Sequence, residues 1–331
     1  MREFSTSLME PFGLRVKRVT RAYGAFICDT NQGIVLVKQT EEAEEVLRFA
    51  HGAKEHLAQH GFLGTDRYQL SLDGAIWAEQ GGERYTVRRW LRAEETDLTR
   101  GDCGVQMAVL LGRMHRAGAG YEAALQSRER NDCYEWPQKI YKYGKKLQGF
   151  GKMLRKNGRY TEFDLMVLAI LPEAMEQAME AQAFFMSDRF TGLAQRADQE
   201  RLVGHGNFSD HTVLLGGAQS MITDLESCAY MIPVVDLAVL LERTMRKTDW
   251  NIALGMRMLE GYDRWCPLRA EERDMIRAML LYPSRFCQVC GEAYHMKRSW
   301  MPIAYKRKLE ELQAQQEKRK EFLQQLSNVL R

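Results

Sequence analysis

The chain has 331 residues, of which 45% are apolar and 27% are charged, a balance typical of globular proteins with one large core or two medium ones. Its net charge of +3 excludes the strong field that would predict a nucleic-acid or membrane-surface partner. Seven scattered cysteines indicate reduced thiols rather than a disulfide framework. The N-terminus lacks the apolar region of a secretory signal and no apolar run could span a bilayer, so we expect an intracellular protein.

Strand patterns surround one helical pattern in the N-terminal part of the chain. A short β-type run ends on Lys38, and a helix with one apolar face is predicted over residues 41–60. Two further β-type runs flank Asp73-Gly74, a pair typical of a two-residue hairpin turn, and another strand is predicted over residues 85–91. These elements predict a small strand-rich lobe, to which we assign residues 1–92.

Helical periodicity dominates the rest of the chain. Helices are predicted over residues 105–116 and 163–185 and again from Val235 onward, and strand character returns only between residues 202 and 224. We assign residues 93–331 to this second, helical lobe. The predicted fold class is therefore α+β, with a small strand-rich N-lobe and a larger helical C-lobe.

Two segments of the helical lobe have distinctive surface patterns. Residues 139–159 contain eight basic and no acidic residues, a pattern typical of a solvated helix face and, in a minority of cases, of a contact with an acidic partner or a phosphate. Residues 305–330 read as a charged helix with a thin apolar stripe. The stripe lacks sustained heptads, so docking on the body of the protein is favoured over pairing with another chain.

Three separated elements supply the groups that phosphoryl transfer needs. Lys38 ends a strand of the N-lobe, from which it could reach the phosphates of a nucleotide. Residues 205–214 read His-Gly-Asn-Phe-Ser-Asp-His-Thr-Val-Leu, and Asp224 follows a short apolar run. The chemistry requires a held γ-phosphate, a Mg²⁺ ion and a carboxylate that positions the acceptor hydroxyl. The order and spacing of these elements therefore indicate a kinase-type cleft.

The segment that begins at His205 resembles the H-G-D-x-x-x-x-N motif of aminoglycoside-phosphotransferase-type kinases, with Asn207 in place of the aspartate and Thr212 in place of the asparagine. Asp224 falls where those enzymes place a metal-binding aspartate. Over residues 12–325 the chain resembles more closely the CotS family of spore coat proteins, which share this kinase-like fold. The segments that carry this likeness are 33–38, 55–57, 61–62, 85–90, 111–115, 204–214, 222–224, 232–238 and 282–283, and a tail that begins at Trp300.

Two positions depart from the kinase pattern. An amide is scarcely basic, so Asn207 lacks the function of the general base, which contributes ~10²–10⁴ in rate. Thr212 offers a hydroxyl in place of an amide oxygen, a less reliable ligand for Mg²⁺. Asp210 is a candidate substitute base, although a loop or helix-cap role is the simpler interpretation. No G-x-G-x-x-G sequence precedes Lys38, so a backbone cradle for phosphates is poorly supported.

Other residues near the loop have supporting roles. His205 is expected to brace the loop by hydrogen bonds. The resemblance implies that Asp236 holds the backbone of the same loop, although from the residues alone Asp236 could equally be a helix N-cap. In the kinase-like fold a lysine at the position of Lys38 pairs with a helix glutamate. Glu45 and Glu55 are both candidates, and the sequence does not distinguish them.

The resemblance implies a spore coat-associated, kinase-like structural or assembly protein, and the departures at Asn207 and Thr212 predict a pseudokinase that is catalytically inactive. It would be made in the mother-cell cytoplasm, enter the spore coat and contact other coat proteins; nucleic acid and membrane are not expected as partners, and the oligomeric state is unspecified. The alternative is an active ATP-dependent phosphotransferase with a small-molecule hydroxyl acceptor. No cofactor is required by the first hypothesis; residual binding would place ATP at Lys38 and Mg²⁺ at Asp224 and Thr212.

Overall fold

The computed structural model describes residues 4–22, 24–93, 96–127, 129–216, 219–295 and 303–328. An antiparallel five-stranded sheet forms the N-terminal part, in the order β1-β2-β3-β5-β4. Its strands are β1 (Val16–Ala22), β2 (Ala25–Thr30), β3 (Gly33–Thr40), β4 (Trp77–Gln80) and β5 (Glu83–Arg89). The strand predicted before Lys38 is confirmed as part of β3.

The two faces of this sheet have different roles. Val35 and Val37 of β3 and Val87 of β5 pack against a short 3₁₀ helix, Thr6–Phe12, and form a small separate core. Side chains alternate between faces along a strand, so the residues paired as Lys38 with Thr86 and Leu36 with Arg88 lie on the opposite face. That face is turned toward the helical lobe and carries the charged residues of the cleft.

Helix α1 (Glu44–Gln59) follows β3, packs against the helical lobe and confirms the predicted helix. Leu47, Ala50 and Leu57 are buried and belong to the main core rather than to the core of the sheet. The chain leaves the helix at Gly61, whose φ of +85° is readily adopted only by glycine.

The Asp73-Gly74 hairpin prediction is wrong. Residues 67–69 bond to the second half of β5, and β4 pairs with its first half, so the two runs lie end to end along one edge of β5. They meet only at the turn, where the backbone N–H of Ser71 donates to the carbonyl oxygen of Ala75 at 2.9 Å. The hairpin turn lies instead at Gly81-Gly82, both in the left-handed region. Asp73-Gly74 forms only a local turn.

The rest of the described residues contain ten α-helices and two small sheets, besides short 3₁₀ turns. The further helices are α2 (Cys103–Ala117), α3 (Trp136–Asn157), α4 (Glu162–Phe185), α5 (Asp188–Gln199), α6 (Val234–Lys247), α7 (Ile252–Asp263), α8 (Ala270–Leu281), α9 (Ser284–His295), α10 (Ile303–Ala314) and α11 (Gln316–Asn328). The short strands β6 (Val203–Gly204) and β9 (Ala229–Tyr230) pair, as do β7 (Val213–Leu214) and β8 (Met221–Ile222). None of the described helices combines the length and apolar character needed to cross a membrane.

The C-terminal segment forms the two helices α10 and α11 rather than one, and both dock on the body as the apolar stripe predicts. Leu309, Phe322 and Leu326 are buried. The guanidinium of Arg319 donates to the carbonyl oxygens of the last turn of α8, where the negative end of the helix dipole favours a cation. Trp300, at the start of the predicted tail, lies outside the described residues.

The 205–212 loop connects β6 to β7 and makes a close contact at Gly206. Its φ is +76°, and a Cβ there would lie 2.3 Å from the carbonyl oxygen of Ser227. Only glycine fits this position, because any side chain would be strained and would also push the two segments apart.

We expect Gly206→Ala to lower the free energy of unfolding by about 2–4 kcal/mol, from the left-handed φ and the steric overlap together. Gly192→Ala in α5 is the matched control. A Cβ there meets nothing within 4 Å, so the change should be neutral or stabilise by up to ~1 kcal/mol. Urea unfolding of both variants measures the difference, and equal stabilities would contradict the crowding at Gly206.

Candidate active site

Asp236, in the first turn of α6, holds the backbone of the 205–212 loop. Its carboxylate accepts hydrogen bonds from the backbone N–H groups of His205 at 2.6 Å and Gly206 at 3.1 Å. The ring of His115 lies 3.2 Å from the same carboxylate. Because both oxygens are occupied by the loop, Asp236 acts on the loop rather than on the N-terminus of its own helix.

His205 links the loop to the segment that carries Asp224. Its Nδ1 lies 3.2 Å from the backbone nitrogen of Asn207, which can only donate, so Nδ1 is the acceptor. In the neutral ring the proton is then on Nε2, which donates to the carbonyl oxygen of Thr223 at 2.8 Å. Both ring nitrogens are therefore used in bracing the loop.

Asn207 and Thr212 occupy different environments within this loop. Asn207 is exposed. Thr212 is buried, and its hydroxyl accepts from the backbone N–H of Ser209 and donates to the carbonyl oxygen of Ser209, both at 3.0 Å. The hydroxyl is thus committed to closing the loop on itself.

Asp210, the candidate substitute base, is held by two cations of α6. Lys247 Nζ lies 2.7 Å and Arg243 Nη2 3.4 Å from its carboxylate oxygens. Burial alone would raise the pKa of Asp210, but the hydrogen bond and charge of Lys247, together with Arg243, lower it below its ordinary value. A carboxylate paired and acidified in this way is a poor general base, so the structure favours the loop role over the substitute-base hypothesis.

The expectation that Lys38 pairs with a helix glutamate is wrong. Lys38 Nζ lies 2.8 Å from Asp224 Oδ1, and both side chains keep 38% of their surface exposed. Glu55 forms an ion pair with Arg67, and Glu45 is exposed at the start of α1. The reason is the helical geometry of α1, in which successive side chains point about 100° apart. Lys54 points into the cleft, so the next residue, Glu55, points away from it.

Six charged side chains meet where the cleft face of the sheet, α1 and the segment after β8 come together. We call them the cleft ion cluster. Three are cations and three are anions, and their formal charges therefore cancel. The members are Lys38, Lys54, Arg88, Asp66, Asp224 and Glu226.

Lys54 is the buried cation from α1, and its side chain has no exposed surface. Its Nζ lies 2.8 Å from Asp66 Oδ1 and 3.4 Å from Glu226 Oε1. It also lies 4.1 Å from the ring centroid of Tyr68, whose hydroxyl donates to Glu226. A lysine can remain charged in such a buried site only when carboxylates of this kind surround it.

Arg88 joins the three carboxylates of the cluster. Its Nη1 lies 3.2 Å from Asp66, 3.1 Å from Asp224 and 3.2 Å from Glu226, and only 2% of its side chain is exposed. Burial alone would lower the pKa of Arg88, but the nearby carboxylates, above all Glu226, have the larger effect. The pKa of Arg88 therefore lies above its ordinary value. This guanidinium is therefore a permanent charge at the centre of the cluster.

Asp224, the predicted metal ligand, is already neutralised by protein cations. Its Oδ1 contacts both Lys38 and Arg88. Burial raises the pKa of Asp224, but the hydrogen bond and charge of Lys38 and the charge of Arg88 lower it overall. No group of three or more His, Cys, Asp or Glu within the described ranges could hold a metal ion. With the Thr212 hydroxyl also committed, this arrangement does not fit a Mg²⁺ ion.

Sequence reasoning missed four members of the cluster, although two of them carried a signal. Lys54 lies four residues after Ala50 and seven after Leu47, on the apolar face of α1. Arg88 lies in a strand that is otherwise buried at its centre. A charge at a position that periodicity assigns to the interior indicates a buried partner, but the pattern does not identify that partner.

We expect Lys54→Met to lower the free energy of unfolding by about 3–5 kcal/mol, because Asp66 and Glu226 would each lose a buried counter-charge. The control is Arg48→Met, which removes an exposed pair with Glu44 on the same helix and should change stability by less than ~0.5 kcal/mol. Adding Glu226→Gln to Lys54→Met should recover part of the loss. If denaturant unfolding shows that the double variant loses the sum of the two single losses, the pairing of Lys54 with Glu226 is contradicted.

The cluster also predicts the acid sensitivity of the fold. Burial raises the pKa of Glu226, but Lys54 and Arg88 lower it by more, to well below its ordinary value of 4.5. A depressed carboxyl pKa contributes stability above the unfolded-state value and loses it as the pH falls. Between pH 6 and pH 3 the wild type should therefore lose more unfolding free energy than Glu226→Gln, which is less stable at neutral pH. Denaturant titrations across this range test whether the two stability curves converge, and parallel curves would contradict the prediction.

Comparison with solved structures relates this fold to phosphotransferases. The structure superposes on an aminoglycoside phosphotransferase from Alicyclobacillus acidocaldarius subsp. acidocaldarius DSM 446 with a TM-score of 0.86 at 18% identity, covering 100% of this chain and 97% of that one. Spectinomycin phosphotransferase APH(9)-Ia, in complex with ADP and spectinomycin, superposes with a TM-score of 0.53 at 13% identity, covering 94% and 92%. The predicted two-lobed kinase-like fold is confirmed.

Sequence comparison relates the chain to spore coat proteins. Spore coat protein S of Bacillus subtilis (strain 168) is 22% identical over 314 residues, which cover 91% of this chain and 86% of that protein. A family model described as "Spore coat putative kinase YutH" matches residues 5–326. The predicted resemblance to kinase-like spore coat proteins is confirmed, and the chain belongs to the spore coat putative kinase YutH family.

Proposed function

We propose that the protein is a catalytically inactive, kinase-like component of the spore coat that acts through its surfaces. Membership of the YutH family and the likeness to spore coat protein S support the association with the coat. The observation that carries the proposal of inactivity is the cleft ion cluster. Synthesis in the mother-cell cytoplasm, followed by assembly with other coat proteins, completes the proposal.

Nucleotide binding would have to supply the free energy of opening the cleft ion cluster. A Mg²⁺ ion bound at Asp224 Oδ1 would compete with Lys38 and Arg88 for that oxygen. Breaking a fully buried pair costs about 3–5 kcal/mol. The cost is smaller here, because Lys38 and Asp224 are each 38% exposed and Arg88 would keep Asp66 and Glu226 as partners. A ligand that binds in the millimolar to micromolar range supplies only about 4–8 kcal/mol in total, so opening the cluster would take part of that free energy.

The 205–212 loop also lacks a general base for the chemical step. Transfer to a hydroxyl needs a carboxylate at the position of Asn207, where this chain has an exposed amide. The nearby carboxylate of Asp210 is paired with Lys247 and Arg243. The 205–212 loop is thus held in shape without a free base.

The alternative is an active ATP-dependent phosphotransferase that acts on a small-molecule hydroxyl. One observation favours it, since the Lys38 and Asp224 side chains remain 38% exposed and could separate to admit a ligand. Under this alternative Lys38 would contact the phosphates of ATP. We place it second because Lys54 and Arg88 would remain in the cleft with their buried partners.

Nucleotide binding and turnover test the proposal directly. We expect no increase in Tm on addition of millimolar Mg-ATP, and no phosphate release above that of an Asp224→Asn control. Asn207→Asp combined with Thr212→Asn should also stay silent, because these changes leave the cluster intact. A ligand at 100 times its Kd would stabilise the fold by about 2.7 kcal/mol, a readily measured shift.

Each result that contradicts the proposal would indicate a different function. Turnover by the unaltered protein that Asp224→Asn abolishes would overturn the proposal in favour of a phosphotransferase. A Tm shift without turnover would overturn the closed cleft but retain an inactive nucleotide-binding scaffold. Activity gained by the double variant alone would mean that the loop, rather than the cluster, is what disables the site.

A further inference from the structure

Helix α3 carries a face of exposed cations. Residues 136–161 contain no acidic side chain. Lys142, Lys145, Lys152 and Lys156 follow one ridge of the helix over about 21 Å. The exposed cations that we call the α3 basic face are Lys142, Lys145, Lys146, Lys152, Arg155 and Lys156 of the helix, together with Arg159, two residues beyond its end.

These cations are not neutralised within the described part of the chain. Lys139 pairs with Glu135, but the ion pairs of the structure include none of the seven cations of the α3 basic face. The lysines of α10 and α11 differ, since Lys306, Lys308 and Lys318 each face a carboxylate. Like charges three and four residues apart destabilise a helix by about 0.2–0.5 kcal/mol per pair. An anionic partner would relieve that repulsion.

The charge of the molecule is unevenly distributed as a consequence. Residues 139–159 carry eight basic and no acidic side chains, whereas the whole chain has a net charge of +3. The remaining residues therefore carry 3 − 8 = −5. A long anionic polymer would be attracted by α3 but repelled by the rest of the molecule, so the charge pattern favours a short acidic segment that reaches only this helix.

A cavity of about 440 Å³ lies beside the same helix. Its α3 wall is formed by Trp136, Ile140, Tyr143 and Lys146. The opposite walls come from α6, α8 and α9, and they include Val239 and Met279. A largely apolar cavity of this size accepts a large side chain or a small ligand. Lys146 lines the cavity and is also one of the exposed cations, so a partner that crosses α3 at Lys146 could place an apolar anchor in the cavity while its charges meet the α3 basic face.

We infer that α3 and this cavity form a docking surface for an acidic polypeptide segment with one aromatic or large apolar anchor residue. The inference deepens the proposed function, because it names the kind of partner through which a surface-acting protein would bind. Five of the seven cations are lysines, whereas phosphate recognition favours the bidentate fork of arginine. The apolar side of α3, including Leu147 and Leu154, is buried in the core and so is not available to enter a membrane.

The test uses the full chain and a fluorescein-labelled, glutamate-rich peptide of about 14 residues with one central Trp, a length that spans about 21 Å as a helix. We expect saturable binding in fluorescence anisotropy that weakens as salt is raised. Lys142→Glu/Lys145→Glu/Lys152→Glu should weaken it by about tenfold or more, and Trp→Ala in the peptide by about fivefold. The matched control reverses three exposed cations of β1, as Lys17→Glu/Arg18→Glu/Arg21→Glu, and should change binding less than about twofold.

Several results would overturn the inference. No binding of the peptide, or equal losses in the α3 and β1 triple variants, would mean that no specific surface exists on α3. Tighter binding of oligo(dT) or of phosphatidylglycerol vesicles than of the peptide would assign the face to nucleic acid or membrane instead. Insensitivity to the Trp→Ala change would remove the cavity from the site. ATP turnover would defeat the proposed function without altering these peptide measurements, so the two failures are distinguishable.

Discussion

The buried guanidinium of Arg88 is the interaction on which the arrangement of the two lobes depends. It comes from β5 of the sheet and contacts carboxylates on either side of the cleft, at Asp66, Asp224 and Glu226. A guanidinium does not lose its proton in a protein, so the sheet cannot move away from residues 224–226 without leaving unpaired buried charges. The sheet has its own small core beneath the 3₁₀ helix, so the contacts of Arg88 add to the apolar packing of α1 in fixing its position relative to the helical lobe.

Under the function that we propose, this constraint distinguishes the cleft from a nucleotide site of the same fold. Lysines and arginines that wait for phosphates need anions from the ligand. Here the protein supplies its own anions, since Glu226 and Asp66 neutralise Lys54 and Arg88. The stability that a bound nucleotide would contribute is instead built into the folded chain. The 205–212 loop keeps its supports for a similar reason, because Asp236 satisfies its backbone whether or not any substrate is present.

Local patterns in the sequence predicted much of the fold, whereas pairing between distant residues was not predictable. The β3 strand, α1 and the apolar stripe of α11 follow from periodicity. The partner of Lys38 does not, because Asp224 is 186 residues away and only the packing of the lobes brings the two together. Competition for one edge of β5 displaced the turn from Asp73-Gly74 to Gly81-Gly82, and such competition is invisible to a rule about adjacent residues. The kinase-like segment was recognised because its residues are close in sequence.

The balance of charges also determines where this molecule has binding free energy to offer. In the cleft, each formal charge of the cluster already has a partner, so a ligand there must first break contacts that are worth keeping. On α3 the opposite holds, because Lys142, Lys145 and Lys152 repel one another and an added anion would relieve that repulsion. Under the function that we propose, a kinase-like fold acts through its surface because its cleft is neutralised while one helix is not. The likeness to phosphotransferases concerns the fold alone, so it is compatible with membership of a coat family.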